Sequence, residues 1–148
     1  PEPEFFGFLP SSVRLSEQHF ITTIRRREGP ERWIDAWQSN DMGHSWQQMA
    51  PPVDDLGEGN PPSLIKLDDG RLCLTYGVRR APFSICARIS ADDGRTWSEP
   101  RVLRNDGGGR DIGYVRSVQR PDGHVVTVYY FQDREKPERY IAATIWKP

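Results

Sequence analysis

The sequence has no apolar run approaching the roughly 18 residues of a membrane-spanning helix, and no basic stretch followed by an apolar one that would mark a leader. It has no excess of either charge. Lys and Arg number 20 against 21 Asp and Glu, so nothing global draws the chain to nucleic acid or an anionic membrane, and any anion site has to be a local cluster. Long Ala, Leu, Glu and Lys runs are missing, which argues against a helical protein. Only 2 cysteines are present, too few for a disulfide framework. Cys73 and Cys86 fall in segments expected to pair as adjacent strands, roughly opposite each other, as buried free thiols in preference to a disulfide. The 3 histidines, His19, His44 and His124, lie in or beside turns without metal-ligand spacing, so they are expected at the surface and no metal or cofactor is implied. The chain opens PEPEFF without a methionine, compatible with a removed leader or a larger upstream segment, which leaves the compartment open.

What is abundant is β and turn chemistry: 13 Gly, 13 Pro, 5 Trp and 5 Tyr. Strand signals recur in one order. Residues 11–15, 20–24 and 32–38 precede a short segment at 47–49; residues 63–67, 71–76 and 84–89 precede 100–103; residues 114–118, 124–131 and 139–146 close the chain. The first two strands of each round are joined by polar turns, SEQ at 16–18, DDG at 68–70 and PDG at 121–123. Asp-Gly between two β-rich runs marks a hairpin because glycine supplies the positive φ such turns need. A period near 50 residues predicts repeated small antiparallel sheets that bury their faces only against neighbours, as propeller blades do. The blade units run over about 10–52, 61–104 and 111–148.

Three blades fall short of the about four to eight with which propellers close. The expected fold is therefore all-β: three four-stranded blades forming part of a ring, closed by missing upstream blades or by a second copy in a homodimer. The third unit lacks a fourth strand of its own, and residues 1–9 (with EFFGFL) are expected to supply it as a swapped outer strand, blunting two exposed edges.

One octapeptide appears twice, SNDMGHSW at 39–46 and SADDGRTW at 90–97, spaced 51 residues apart. Its Asp41 or Asp92 carboxylate can accept turn amides, Gly43 or Gly94 can take a left-handed conformation, and the Trp46 or Trp97 ring can cover the hairpin, with Ser39 or Ser90 opening the turn. Asp-x-Asn/Asp-x-Gly echoes a calcium loop, but the remaining ligands and the closing Glu are absent, so a structural role is expected.

These octapeptides resemble the Asp-box, or bacterial neuraminidase repeat, of the sialidase superfamily, whose members are six-bladed propellers with Asp-boxes away from the active site. The resemblance spans nearly the whole chain and implies the C-terminal half of such a ring, with a carbohydrate ligand in the axial pocket. Sialidases resemble one another in three arginines that bind the sugar carboxylate, a tyrosine nucleophile with a supporting glutamate, and an aspartate acid/base. A substrate carrying its own carboxylate beside the anomeric carbon repels a carboxylate nucleophile, whereas guanidinium groups grip that carboxylate in bidentate fashion.

The run LTYGVRR, 74–80, followed by DIGYVRSVQRPDG, 111–123, is similar to the family's arginine and nucleophile stretch. By that resemblance Arg80, or its neighbour Arg79, matches the last arginine, Tyr114 the nucleophile, and one of Arg25, Arg26 and Arg27 the preceding arginine. Strand alternation lets at most two of those three point the same way. Arg116, two residues after Tyr114, is a further anion contact or a partner for Asp111. The supporting glutamate has no counterpart: the comparable positions read GFLPSSV at 7–13 and GNPPSLI at 59–65, with Glu58 and Asp55 nearby but out of register. Two functions are thus implied. One is a sialidase-like glycoside hydrolase acting on an acidic glycan; the other is a non-catalytic glycan-binding or scaffold propeller.

Overall fold

The computed structural model describes residues 5–135 and 137–148. Eleven strands, and no helix among the described residues, form three antiparallel sheets. The first contains β1 (Phe5–Arg14), β2 (Phe20–Glu28), β3 (Glu31–Ser39) and β4 (Gln47–Val53). The second contains β5 (Ser63–Lys66), β6 (Leu72–Val78), β7 (Phe83–Ser90) and β8 (Arg101–Gly107), and the third β9 (Gly113–Gln119), β10 (Val125–Phe131) and β11 (Tyr140–Trp146). Strands follow chain order in every sheet, so β1, β5 and β9 are the inner strands and pack side by side. The third sheet has three strands.

Residues 5–8 extend β1 and pair with Arg25–Glu28 of the same sheet, in place of the outer strand for another blade anticipated for this segment. Residues 1–4 of that expectation lie outside the described residues. Continuing an existing ladder satisfies the backbone groups of Phe5 to Phe8 locally.

The middle sheet is covered on both faces, and accordingly Leu72 to Gly77 of β6 are buried without a break. Against the first sheet it builds a core of Ile21, Ile34, Leu56, Leu72, Leu74 and Tyr76. Against the third it builds two, one around Cys73, Val125 and Trp146 and one around Ile85, Val115, Tyr129 and Phe131. Both cysteines are free and buried. The β6–β7 register opposes Cys73 to Ile89 and Cys86 to Tyr76, so the two thiols are not opposite each other as anticipated but project into different cores on opposite faces. Burial pushes Cys73 up to about 12 and Cys86 up to about 11, leaving both protonated and inert.

Near the axis the sheets are tied by buried and half-buried hydroxyls at a fixed phase of the repeat. Ser11 Oγ accepts from the Leu64 amide at 2.9 Å, and Ser63 Oγ accepts from the Ser117 amide at 3.1 Å. Behind each serine stands a threonine of the second strand: Thr23 donates to Ser11 O at 3.3 Å, Thr75 to Ser63 O at 3.4 Å, and Thr127 shares a 2.9 Å bond with Ser117.

The octapeptides close the β3–β4 and β7–β8 turns with one bond pattern. Ser39 Oγ donates to Asp41 Oδ1 and receives the Gly43 amide, both at 2.8 Å; the Ser45 amide and hydroxyl donate to Asp41, and Trp46 Nε1 donates to Gly43 O at 3.1 Å. Ser90, Asp92, Gly94, Thr96 and Trp97 repeat it. These bonds, those from Ser45 and Thr96 foremost, hold Asp41 and Asp92 at about 2. The two boxes differ in what they cover. Trp97 packs on the core between the first two sheets, whereas Trp46 is 42% exposed. His44 is exposed as anticipated, while His19 and His124 are half-buried in their turns.

Trp97→Ala should therefore destabilise by on the order of 2 kcal/mol in urea unfolding, and Trp46→Ala by less than half of that, because only the former opens a cavity in a core. Because Asp41 and Asp92 sit at about 2 when folded against an ordinary 3.8, their stabilisation is fully present above pH 4 and is lost as pH falls towards 2. Thermal melts should show the gap between the parent and Asp92→Asn narrowing over that interval.

Candidate functional site

Antiparallel order puts the start of β1, β5 and β9 and the end of β2, β6 and β10 at one end of the molecule, and both Asp-boxes at the other. The first end gathers the charged groups.

Tyr114 is the second residue of β9, with φ 52°, after Gly113 with φ 112°. A left-handed non-glycine residue costs on the order of 1–3 kcal/mol and persists only where its surroundings impose it. The imposing group is Asn60, fully buried, whose Nδ2 donates to Ile112 O at 2.6 Å and whose Oδ1 accepts the Tyr114 amide at 2.9 Å. This clamp turns the Tyr114 ring outward, 44% exposed, 5.7 Å from the Tyr130 ring.

Arg79, at the end of β6, lies beside it. Its Nε donates to Ile112 O at 3.1 Å, its Nη2 to the Tyr130 hydroxyl, and its guanidinium carbon is 5.7 Å from the Tyr114 ring centre. Tyr130 in turn donates to Asp111 Oδ1 at 2.7 Å, and Arg139 pairs with Asp111 Oδ2 at 2.6 Å. The Tyr130 bond, then Arg139 and Arg79, keep Asp111 below the usual carboxylate range. Burial, reinforced by the bond to Asp111, pushes Tyr130 up to about 12, so at neutral pH it is a protonated donor to an anion.

Arg25, on β2, completes the group. Its guanidinium stacks on Phe8 at 4.6 Å and Nη2 donates to Glu58 O at 3.2 Å, while Nε is buried without a hydrogen-bond partner among the described residues. Among the described residues no carboxylate pairs with it. Burial first, and Arg79 second, lower its pKa from the ordinary guanidinium value.

The other expected residues are distributed differently. Arg26, one position on, takes the opposite face and pairs with buried Asp35 at 2.9 Å; Arg27 is exposed. Arg80 is exposed and paired with Asp55 at 2.6 Å, so Arg79 is the arginine of this pair that meets Tyr114. Arg116 donates to Val115 O at 2.8 Å, and Asp111 is taken by Tyr130, Arg139 and Arg79. Glu58 pairs with Arg110 at 2.5 Å. Among the described residues no carboxylate hydrogen-bonds the Tyr114 hydroxyl, and no group of three His, Cys, Asp or Glu is placed to hold a metal. Asn60, Tyr130 and Arg139 went unread in the sequence. For Tyr130 a signal existed: in HVVTVYYF alternation sends Tyr129 into the core and Tyr130 to the other face.

Comparison with known proteins agrees with this architecture. The model of the BNR repeat-like domain matches residues 8–130. No curated protein matches the sequence. Among solved structures, a protein of unknown function from Dyadobacter fermentans is 27% identical, with TM-score 0.80 over 99% of this chain and 40% of its own. The α-L-arabinanase of Penicillium chrysogenum, complexed with arabinobiose, is 17% identical, with TM-score 0.75 over 99% of this chain and 48% of its own. A Hadza microbial sialidase is 19% identical, with TM-score 0.61 over 93% of this chain and 34% of its own. The chain thus spans less than half the length of these structures, and its three sheets have the fold of consecutive β-propeller blades.

Asn60→Ala should cost about 3 kcal/mol, since it leaves two backbone groups at a buried turn without their partner. Gly113→Ala should cost a comparable amount, because a Cβ there would overlap the Asn60 amide at a positive φ. Chemical denaturation of each variant beside the parent checks both.

Proposed function

The chain belongs to the BNR repeat-like domain family, and from that premise we propose that it is half of a six-bladed, glycan-active propeller whose axial end binds an acidic sugar through Arg25 and Arg79. The observation that carries this reading is Arg25: a half-buried guanidinium, beside a second one, with no carboxylate partner among the described residues. Bringing two like charges together in partial burial is costly unless an anion completes the site. A sugar carboxylate suits it, since planar guanidinium groups hold such a group in bidentate fashion. The exposed Tyr114 ring offers a face on which the sugar's C–H side can rest, and Arg79 reaches both it and Tyr130.

These residues support binding and orientation more directly than bond cleavage. A tyrosine nucleophile needs a base, and the carboxylate at hand, Asp111, serves Tyr130, which remains protonated at neutral pH. A second reading, sialidase-type hydrolysis with Tyr114 as nucleophile, is favoured by the exposure and enforced backbone of that residue; it requires the partner carboxylate to come from another blade.

Ring completion is part of the same proposal. The outward face of the third sheet exposes Val118, Val128, Ile141 and Ile145, an apolar surface of the kind that sheets of the repeat bury against a neighbour. Either a second copy covers it or further blades of the same polypeptide do; a stable monomer of this chain in light scattering excludes the two-copy ring.

Titration calorimetry with a sialoside or a uronate should show Arg25→Gln weakening the acidic ligand about tenfold, the loss of one charged hydrogen bond of about 1.4 kcal/mol, with a shallower salt dependence. Equal affinity for acidic and neutral sugars would sink the anion-site reading. Release from a fluorogenic sialoside that is abolished by Tyr114→Phe would establish the hydrolytic reading.

A further inference from the structure

The first sheet reaches further at the axial end than its neighbours. β1 is 10 residues long, against 4 in β5 and 7 in β9. Ser11 and Ser63 hold matching places opposite Thr23 and Thr75, but Ser63 begins its strand whereas β1 has already run from Phe5, so the added length lies at the site end. With the end of β2 and the start of β3 it makes a wall beside Arg25 and Arg79. Alternation sorts the side chains of this wall, because residues directly opposite in an antiparallel pair share a face. Arg27 is opposite Arg32 and Phe6, and Arg25 is opposite Ile34 and Phe8, so these arginines and phenylalanines lie on the face that meets the second sheet. The acidic residues of the hairpin, Glu28 and Glu31, oppose each other on the other face, where Arg26 pairs with Asp35.

Like charges directly opposite each other in a sheet are destabilising. Arg32 Nη1 donates to Gly29 O and Glu31 O, both at 2.6 Å, and among the described residues no carboxylate pairs with Arg27 or Arg32. The carboxylate within reach of Arg32 is Glu58, which Arg110 already holds at 2.5 Å. Burial first, then Arg27, lower the pKa of Arg32; after burial and Arg79, both Arg32 and Arg27 also lower that of Arg25, so these guanidinium groups act on one another. Gly59, with φ 75°, passes between Arg25 and Arg32: a Cβ there would lie 3.2 Å from Arg25 Nε and from Arg32 Cβ, so no side chain of that segment intrudes on the pair. The other arginines nearby, Arg80 and Arg110, are paired with Asp55 and Glu58.

We propose that this wall is a second anion subsite, in which Arg27 and Arg32 bind a sulfate ester or a second carboxylate of the same glycan whose first acidic group sits between Arg25 and Arg79. The inference rests on the anion-site reading and adds to it the ligand's charge pattern. Opposed guanidinium groups without carboxylates are relieved by an anion, which they hold in bidentate fashion. Arg25 and Arg27 stand two residues apart on one strand face, which sets the two anions roughly 7 Å from each other. That spacing suits acidic groups on one sugar or on neighbouring sugars. Phe6, 39% exposed beside Arg27, and Phe8, stacked on Arg25 at 4.6 Å, offer apolar faces for the C–H sides of the rings between. The wall therefore selects a polyanionic glycan over one that carries a single acidic group.

Titration calorimetry on the full chain with two matched pairs of ligands tests this: methyl galacturonate against trigalacturonate, and an unsulfated against a 6-sulfated chondroitin disaccharide. The more acidic member of a pair should bind about tenfold tighter, a gain of about 1.4 kcal/mol that shrinks as salt is raised. A gain in one pair only identifies carboxylate or sulfate as the second acid. The double variant Arg27→Gln with Arg32→Gln should cut the gain about fivefold, and Arg27→Gln alone, at an exposed position on which the fold does not depend, about threefold. Equal binding within both pairs, or variants that keep the whole gain, overturns the second subsite while leaving the first standing. Failure of all four ligands to bind overturns both.

Discussion

Each sheet of this chain is too thin to bury both faces alone, and the molecule holds because neighbouring sheets are joined along the axis. The joint is chemical as well as apolar. Ser11 and Ser63 each receive an amide from the next inner strand, and Thr23, Thr75 and Thr127 stand behind them. Inner strands of a propeller crowd together, so backbone groups that cannot form a ladder there need side-chain partners small enough to fit. Serine meets that need where a larger polar residue would push the blades apart. The cores around Leu74 and Phe131 then form outside this line, and the Asp-boxes close the outer turns.

The candidate site inherits its geometry from that joint. Asn60 lies just before β5 and holds the turn just before β9, so one buried amide transmits the position of the second sheet to Tyr114 in the third. Arg79 crosses the same gap to Ile112 and Tyr130, and Arg25 arrives from the first sheet. Every sheet contributes one part, and none holds the site alone. Arg25 has no carboxylate partner there among the described residues, because those nearby serve other groups: Asp35 pairs with Arg26, Asp55 with Arg80, Glu58 with Arg110, and Asp111 with Arg139, Tyr130 and Arg79.

The residues that could be read from the sequence were those whose role is local. The Asp-box pattern of Ser39 to Trp46 and Ser90 to Trp97 is closed by bonds within each octapeptide, so recurrence in the chain was enough to recognise it. Strand order, hairpin turns and the separation of Arg25 from Arg26 follow from alternation and turn chemistry in the same way. The choice between Arg79 and Arg80 did not, because it depends on Asp55 reaching Arg80 and Tyr130 reaching Arg79 from distant segments. Asn60 was passed over for the same reason: its two partners lie more than fifty residues away.

Composition and periodicity by themselves thus determined an all-β chain of repeated sheets, with its turns and box motifs in place, since those depend on residues near one another in sequence. Which tyrosine meets a carboxylate, which arginine is left without one, and which faces two buried cysteines occupy were decided only by the tertiary structure. Those properties are set by register and by contacts between sheets, where a shift of one residue along a strand moves a side chain to the other face.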